Sequence, residues 1–257
     1  GQVIRIPPIS TQAPEAPKRP PDSLLRELES AILFEDTHLL VLNKPAGLAV
    51  HGGTGIPYGV VECARFMRPI EGAVELIDLG HRLDRDTSGV LVLCKTRVGL
   101  LAVHDAFKQH TTTKTYRTLL VGRLAKKVTV DVPLARLTNT PDRPQAFVDE
   151  ADGKVAVSHF TPLDYYDIAL ANGQGLTLTL CDVRIDTGRM HQIRAHAAHL
   201  RLPVAGDTQY GDFKINHTLH KLGLKRIFLH ALRLELPILA QDYVFDAPLP
   251  PELASLL

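Results

Sequence analysis

The chain has 257 residues, 45% of them hydrophobic, with 29 Lys and Arg against 28 Asp and Glu, a formal charge of +1 and an isoelectric point near 7.9. That length suits one large domain or two small ones with a sizeable core, and the near-neutral balance argues neither for nor against a polyanionic partner. No apolar run approaches the length of a membrane span, no secretory signal opens the sequence, and Cys63, Cys94 and Cys181 stand outside any C-x-x-C spacing, so a protein of the reducing cytoplasm is expected.

Residues 1–21 are Pro-rich, lack hydrophobic periodicity and read as an extended arm; residues 22–257 read as the folded domain. Ser23 is a fair N-cap for a short helix through Glu29, and 32–36 and 39–43 read as strands ahead of the turn Lys44-Pro45-Ala46-Gly47. His51-Gly52-Gly53-Thr54-Gly55 opens onto a helix over Pro57–Met67. Without a terminal Gly-Lys-Ser/Thr it is not a phosphate-cradling P-loop. Val74–Leu79 reads as a strand and Val90–Cys94 as a continuous buried one.

Between those two strands lies Gly80-His81-Arg82-Leu83-Asp84-Arg85-Asp86-Thr87-Ser88-Gly89, two carboxylates and two guanidiniums at the mouth of a sheet. Asp84 and Asp86 at i, i+2 suggest a carboxylate pair, yet Asp86-Thr87-Ser88-Gly89 is also a good turn sequence. Asp84 precedes the turn and has no capping role. A carboxylate among arginines keeps its charge and is available as nucleophile or base; the bland alternative is a loop salt bridge.

Farther on, Arg97–Gln109 reads as an amphipathic helix, and 114–121 as a strand with Tyr116, Thr118 and Leu120 on one face. The stretch from Asp131 to about Gly175 is strand-like, turn-rich scaffold with little readable chemistry. Cys181–Leu200 reads as strand, tight turn and helix, with Met190, Ile193, Ala197 and Leu200 on a packed face flanked by Arg194. His191 and His196, five residues apart, lie about 140° apart around a helix, which is wrong for zinc. Many cations lie in or beside these segments, so a locally basic cleft on a near-neutral protein is expected.

These segments together resemble one family. Asn43-Lys44-Pro45-Ala46-Gly47 with Val50-His51, His81 through Gly89, Lys114-x-Tyr116, Gly188-Arg189-x-His191-Gln192-Ile193-Arg194-x-His196, Gly206-Asp207-x-x-Tyr210-Gly211 and Leu229-His230-Ala231 are similar, in order, to the motifs of the ribosomal large-subunit RNA pseudouridine synthases. The likeness spans residues 30 to 236. The fragment Val3-Ile4-Arg5-Ile6-Pro7-Pro8 and the His51–Gly55 loop point to the C-type branch.

The resemblance implies an α+β catalytic domain with a mixed, mainly antiparallel bent central sheet, flanking helices and a central cleft. It implies an isomerase that detaches uracil from its ribose, turns it and rejoins it through carbon, acting as a cytoplasmic monomer on 23S ribosomal RNA, with no metal, cofactor or membrane. Asp84 would be the catalytic carboxylate, attacking C1′ or taking the C2′ proton, with Arg194 paired to it and Tyr116 stacked on the target base. Arg82 would fill the gap left by the extruded uridine. Arg85, Lys44, His51, Arg189, His191 and Gln192 would contact RNA, and Leu229 would line the base pocket. Met190 stands where the family usually has Thr or Ser, and a small basic S4 module is expected ahead of the arm. The readings set against this one are a non-catalytic RNA-binding or assembly factor of the same fold, and a hydrolase using Asp84 with Asp86.

Overall fold

The computed structural model describes residues 19–53, 56–72, 74–137, 144–169, 173 and 175–257. The expected arm therefore lies outside the described residues except for 19–21, as do Thr54 and Gly55 of the glycine-rich loop. In chain order the elements are α1 (Asp22–Ser30), β1 (Ile32–Glu35), β2 (Leu39–Lys44), α2 (Val60–Met67), β3 (Asp78–Leu79), β4 (Ser88–Cys94), α3 (Arg97–Lys108), β5 (Thr113–Val121) and β6 (Val128–Asp131). They continue with β7 (Leu134–Leu137), β8 (Gln145–Val148), β9 (Val157–Ala169), β10 (Gly175–Ile185), α4 (Gln192–His199), α5 (Phe213–Lys221), β11 (Leu229–Ile238), β12 (Gln241–Asp246) and α6 (Pro251–Ala254).

Among the described residues ten strands form one sheet in the order β1-β2-β4-β11-β5-β10-β9-β6, with β12 on β11 and β3 on β4; β7 and β8 form a separate hairpin. Every pairing is antiparallel except β4 with β11. The expected α+β architecture with a mainly antiparallel sheet is thus what the chain adopts. All seven residues of β4 are buried, as its unbroken apolar run requires, because Val90 and Val92 face one core cluster while Leu91 and Leu93 face another. On the far half Leu120 and Cys181 face a third cluster, and Leu119 and Leu180 a fourth.

The two halves join where β4 runs parallel to β11 for two residue pairs, Ser88–His230 and Gly89–Ala231. A β-carbon on Gly89, whose φ is +114°, would lie 2.2 Å from the Ala231 carbonyl oxygen, so only glycine lets the strands meet here. The fully buried His230 bridges the seam, with Nδ1 2.9 Å from Ser88 Oγ and Nε2 3.1 Å from the Ala247 carbonyl. Burial pushes its pKa down to about 4. The neutral ring can then donate from Nε2 and accept at Nδ1.

Four local expectations are corrected. Helix α1 begins at Asp22, with Pro21 rather than Ser23 at the N-cap position and no side-chain cap, and Asp22 stands in its first turn. Only Asp78 and Leu79 of the expected 74–79 strand pair with β4, because the amides of Glu75 and Leu76 both donate to the Lys95 carbonyl instead of a ladder. Helix α2 begins at Val60, not Pro57, since the Glu62 carboxylate accepts from the Gly59 and Gly52 amides and fixes the start there. Helix α4 begins at Gln192, after His191 in left-handed backbone at φ +51°. Met190 is therefore off the helical face and packs near Leu134, Ala146 and Ala195, away from Ile193 and Ala197.

Candidate functional site

The loop between β3 and β4 is fixed through its main chain. The Arg85 carbonyl accepts from Lys44 Nζ at 2.9 Å and from the Gly47 amide at 2.9 Å, and Arg85 Nε returns a bond to the Gly47 carbonyl. Leu83 turns inward to the core, which turns its neighbour Asp84 out toward a cleft. Among the described residues no group donates a hydrogen bond to the Asp84 carboxylate. The closest basic nitrogens are His191 Nε2 at 3.8 Å and Arg194 Nη1 at 4.0 Å.

Arg194, on α4, is held from behind. Its Nε and Nη2 donate to the two carboxylate oxygens of Asp207 at 2.7 and 2.8 Å, and Nη2 also reaches Gln209 Oε1 at 2.8 Å. Asp207 is fully buried and also accepts the amides of Gln209 and Tyr210. Burial opposes the charge on Arg194, but the Asp207 bonds outweigh it and raise the guanidinium's pKa. The expected Arg194–Asp84 pair is therefore an approach at 4.0 Å, subordinate to a tight, two-pronged pair with Asp207. The guanidinium carbon also lies 5.0 Å from the centre of the Tyr210 ring.

Asp84 and Arg194 lie between two connected spaces. The smaller, inner one, about 470 Å3, is lined by Tyr116, Leu229 and Ile185 with Arg136, Lys154 and Arg189; the larger, outer one, about 1110 Å3, is lined by Arg85, His51 and Lys225, and Arg82 and Met190 line both. An apolar floor with a few convergent polar groups suits a flat ring held in one orientation. Burial, with Asp84 nearby, pushes the Tyr116 phenol above its ordinary range, so it stays a neutral phenol. Burial also lowers His191, with Asp84 acting the other way, so the ring is a neutral polar wall near neutral pH. His191 Nδ1 lies 3.2 Å from the Tyr210 hydroxyl, which also accepts from the Ala146 amide and donates to its carbonyl, tying β8 to the cleft.

Of the residues expected to meet RNA, Arg82 and Arg85 are exposed at the cleft, His51 is exposed beside Glu62, and Arg189 is exposed with Nε donated to the Val155 carbonyl. Lys44 and Gln192 need correction. Lys44 is fully buried, with Nζ donating to the carbonyls of Pro45, Leu48 and Arg85, so it clamps the Asp84 loop and has no proton left for a phosphate. Gln192 accepts from Thr187 and the Arg189 amide and donates to Val157 and Ser158, which occupies its amide inside the protein. Sequence reasoning left Asp207 and Tyr210 without roles and set aside the segment after Asp131, although Leu134, Arg136, Ala146 and Lys154 line the inner space. The Gly206-Asp207-x-x-Tyr210-Gly211 spacing was the available signal for the first two. No group of three or more His, Cys, Asp or Glu is placed to hold a metal among the described residues.

The family profile described as RNA pseudouridylate synthase matches residues 38–199. The ribosomal large subunit pseudouridine synthase C of Pasteurella multocida is 38% identical over 261 residues, covering all of this chain and 76% of that protein. The protein of the same name from Haemophilus influenzae is 36% identical, covering all of this chain and 77% of its own length. Among solved structures, human RNA pseudouridylate synthase domain containing 4 superposes with a TM-score of 0.69 at 26% identity, over 91% of this chain and 94% of that one.

Proposed function

The chain belongs to the RNA pseudouridylate synthase family, and from that premise we propose that it isomerises uridines of large-subunit ribosomal RNA in the cytoplasm, with Asp84 as the group that acts on the sugar. The observation that supports Asp84 is its contrast with its surroundings: a carboxylate beside a clamped main chain, whose oxygens accept no hydrogen bond among the described residues, at the junction of two basic spaces, one of which also presents Tyr116, Ile185 and Leu229.

The reaction balances without redox. The N1–C1′ bond breaks, C5–C1′ forms, the proton leaves C5 and N1 gains one. A free carboxylate at the sugar can serve by attacking C1′ or by taking the C2′ proton, and Asp84 has lone pairs free for either. Tyr116 presents a ring to the base and Leu229 closes the floor. Arg194, aimed by Asp207, supplies positive charge 4.0 Å from the carboxylate without quenching it. Arg82 and Arg85 take the flanking phosphates or the place of the extruded nucleotide, an extrusion that costs a few kcal/mol.

Large-subunit RNA carrying tritium at uridine C5 tests this reading. Incubation with the protein is expected to release tritium to water while the RNA chain stays intact and acquires carbodiimide-reactive pseudouridine. RNA that binds at the cleft yet releases no tritium would refute it.

A further inference from the structure

Helix α5 carries a surface that the cleft chemistry does not use. From Phe213 to Arg226 the chain has four Lys or Arg, two His and no acidic residue, in a protein whose charges otherwise nearly cancel. Ile215 and Leu219 face inward. Phe213 is 83% exposed, its ring lying parallel to that of His217 within 12° at 6.4 Å, and the exposed Lys214, His220 and Lys221 flank them. Among the described residues Lys214 and Lys221 have no acidic partner. A large apolar ring held in water among cations is a stacking platform inside a positive field.

The helix is also joined firmly to the cleft. Asp212 caps it by accepting from the Ile215 amide, and the Asn216 side chain donates to the Asp207 carbonyl and accepts from the Gly206 amide. Lys225, which closes the helix end by donating to the His220 carbonyl, lines the outer space with Gly206 and Gln209. The C-terminal end of α5 thus borders the outer cleft at Lys225.

We propose that the exposed face of α5, centred on Phe213 and His217 with Lys214 and Lys221, is a second RNA-contacting surface that stacks an unpaired base of the substrate beside the target uridine's site. This rests on the RNA-modifying reading above. Charge complementarity and continuity with the basic outer cleft favour single-stranded or looped RNA, whose splayed bases stack on aromatic rings while lysines meet phosphates.

The sequence contains no Trp, so Phe213→Trp places a single indole reporter on this face. Its fluorescence is expected to be quenched by a large-subunit RNA fragment, at the RNA concentration that half-saturates pseudouridine formation. Phe213→Ala is expected to raise KM about tenfold, the scale of one lost base stack, with single-turnover rate at saturating RNA unchanged. Charge reversal in Lys214→Glu with Lys221→Glu should further lower the salt dependence of KM. Unchanged KM in Phe213→Ala together with no quenching in an active Phe213→Trp enzyme would overturn the proposal while leaving the activity standing; failure of the wild type to form pseudouridine would instead refute the functional reading.

Discussion

Two aspartates lie on opposite sides of Arg194 and are treated in opposite ways. Asp207 is fully buried and accepts four hydrogen bonds, two from Arg194 and two from the amides of Gln209 and Tyr210. The Asp84 carboxylate, about a quarter exposed, accepts none among the described residues, although its loop is clamped by Lys44 and Gly47 at the next carbonyl. One carboxylate is used up in holding a charge in place, and the other is held in place so that its oxygens stay available. Reactivity is marked here less by burial or charge than by unspent lone pairs on a rigid mount.

The largest effect should come from breaking the reactive side. Asp84→Asn is expected to lower the single-turnover rate about 10^4-fold or more, as loss of an acting nucleophile or base does, with stability within about 0.5 kcal/mol of wild type because no hydrogen bond is lost. Comparable rates for the two proteins would move the chemistry elsewhere in the cleft, and Asp86 would be the next residue to examine.

Breaking the structural side should read out oppositely. Asp207→Asn leaves the Arg194 charge buried without its counter-charge, which costs about 3–5 kcal/mol, and urea midpoints should fall accordingly. Its rate should fall less than that of Asp84→Asn, by about 100-fold, the scale of a misplaced group in an otherwise intact site. A variant as stable as wild type would mean that Arg194 is held by Gln209 and Tyr210 alone.

The comparison is sharpened by Tyr116, which faces the reactive side. Its hydroxyl has no hydrogen-bond partner among the described residues and is held in the neutral form, so its ring is what the site presents. Tyr116→Leu is expected to lose about 1–3 kcal/mol in kcat/KM through lost stacking, and Tyr116→Phe much less. Equal losses in the two variants would assign the role to the hydroxyl.

Much of this arrangement was legible in the sequence because it is local. The unbroken apolar run announced β4, the turn residues announced the loop that carries Asp84, and the ordered motifs brought Asp84, Tyr116 and Arg194 to one cleft. What was not legible depends on contacts between distant segments. Lys44 read as a surface cation because nothing in Asn43-Lys44-Pro45 shows that the Arg85 carbonyl will converge with those of Pro45 and Leu48 on one ammonium. Gln192 was misplaced for the same reason, its amide being spent on Val157 and Ser158. The scaffold after Asp131 joins the cleft through contacts between distant segments, such as the bond between Tyr210 and Ala146, 64 positions apart, and that from Arg189 to the Val155 carbonyl. Left-handed backbone at His191 shifted Met190 to another cluster, which periodicity alone could not anticipate.

The smallest effect expected is a slope. Burial pushes Lys44 from 10.5 down to about 7, so between these values the folded amine gives up its third proton, and with it one of its three carbonyl bonds, while the unfolded one stays charged. The unfolded state then binds more protons, and stability must rise with pH across that window, by at most about 1.4 kcal/mol per unit. Other buried groups titrate as well. The His81 and His230 rings, both near 4, affect stability below 6.5, and the thiols of Cys63 and Cys94, raised from 9.0, act from there upward with the opposite sign. Lys114, also lowered from 10.5 by burial, adds a slope of the same sign, so the Lys44 share between pH 7 and 8.5 is the difference between wild type and a variant without its amine. Lys44→Met keeps the length of the side chain and leaves the Pro45 and Leu48 carbonyls unpaired, while that of Arg85 keeps the Gly47 amide, a cost constant with pH, but removes the titration. Urea midpoints across this range should rise in wild type and stay flatter in Lys44→Met. Parallel curves would mean that Lys44 keeps its proton when folded, and that the clamp behind Asp84 is a full ammonium.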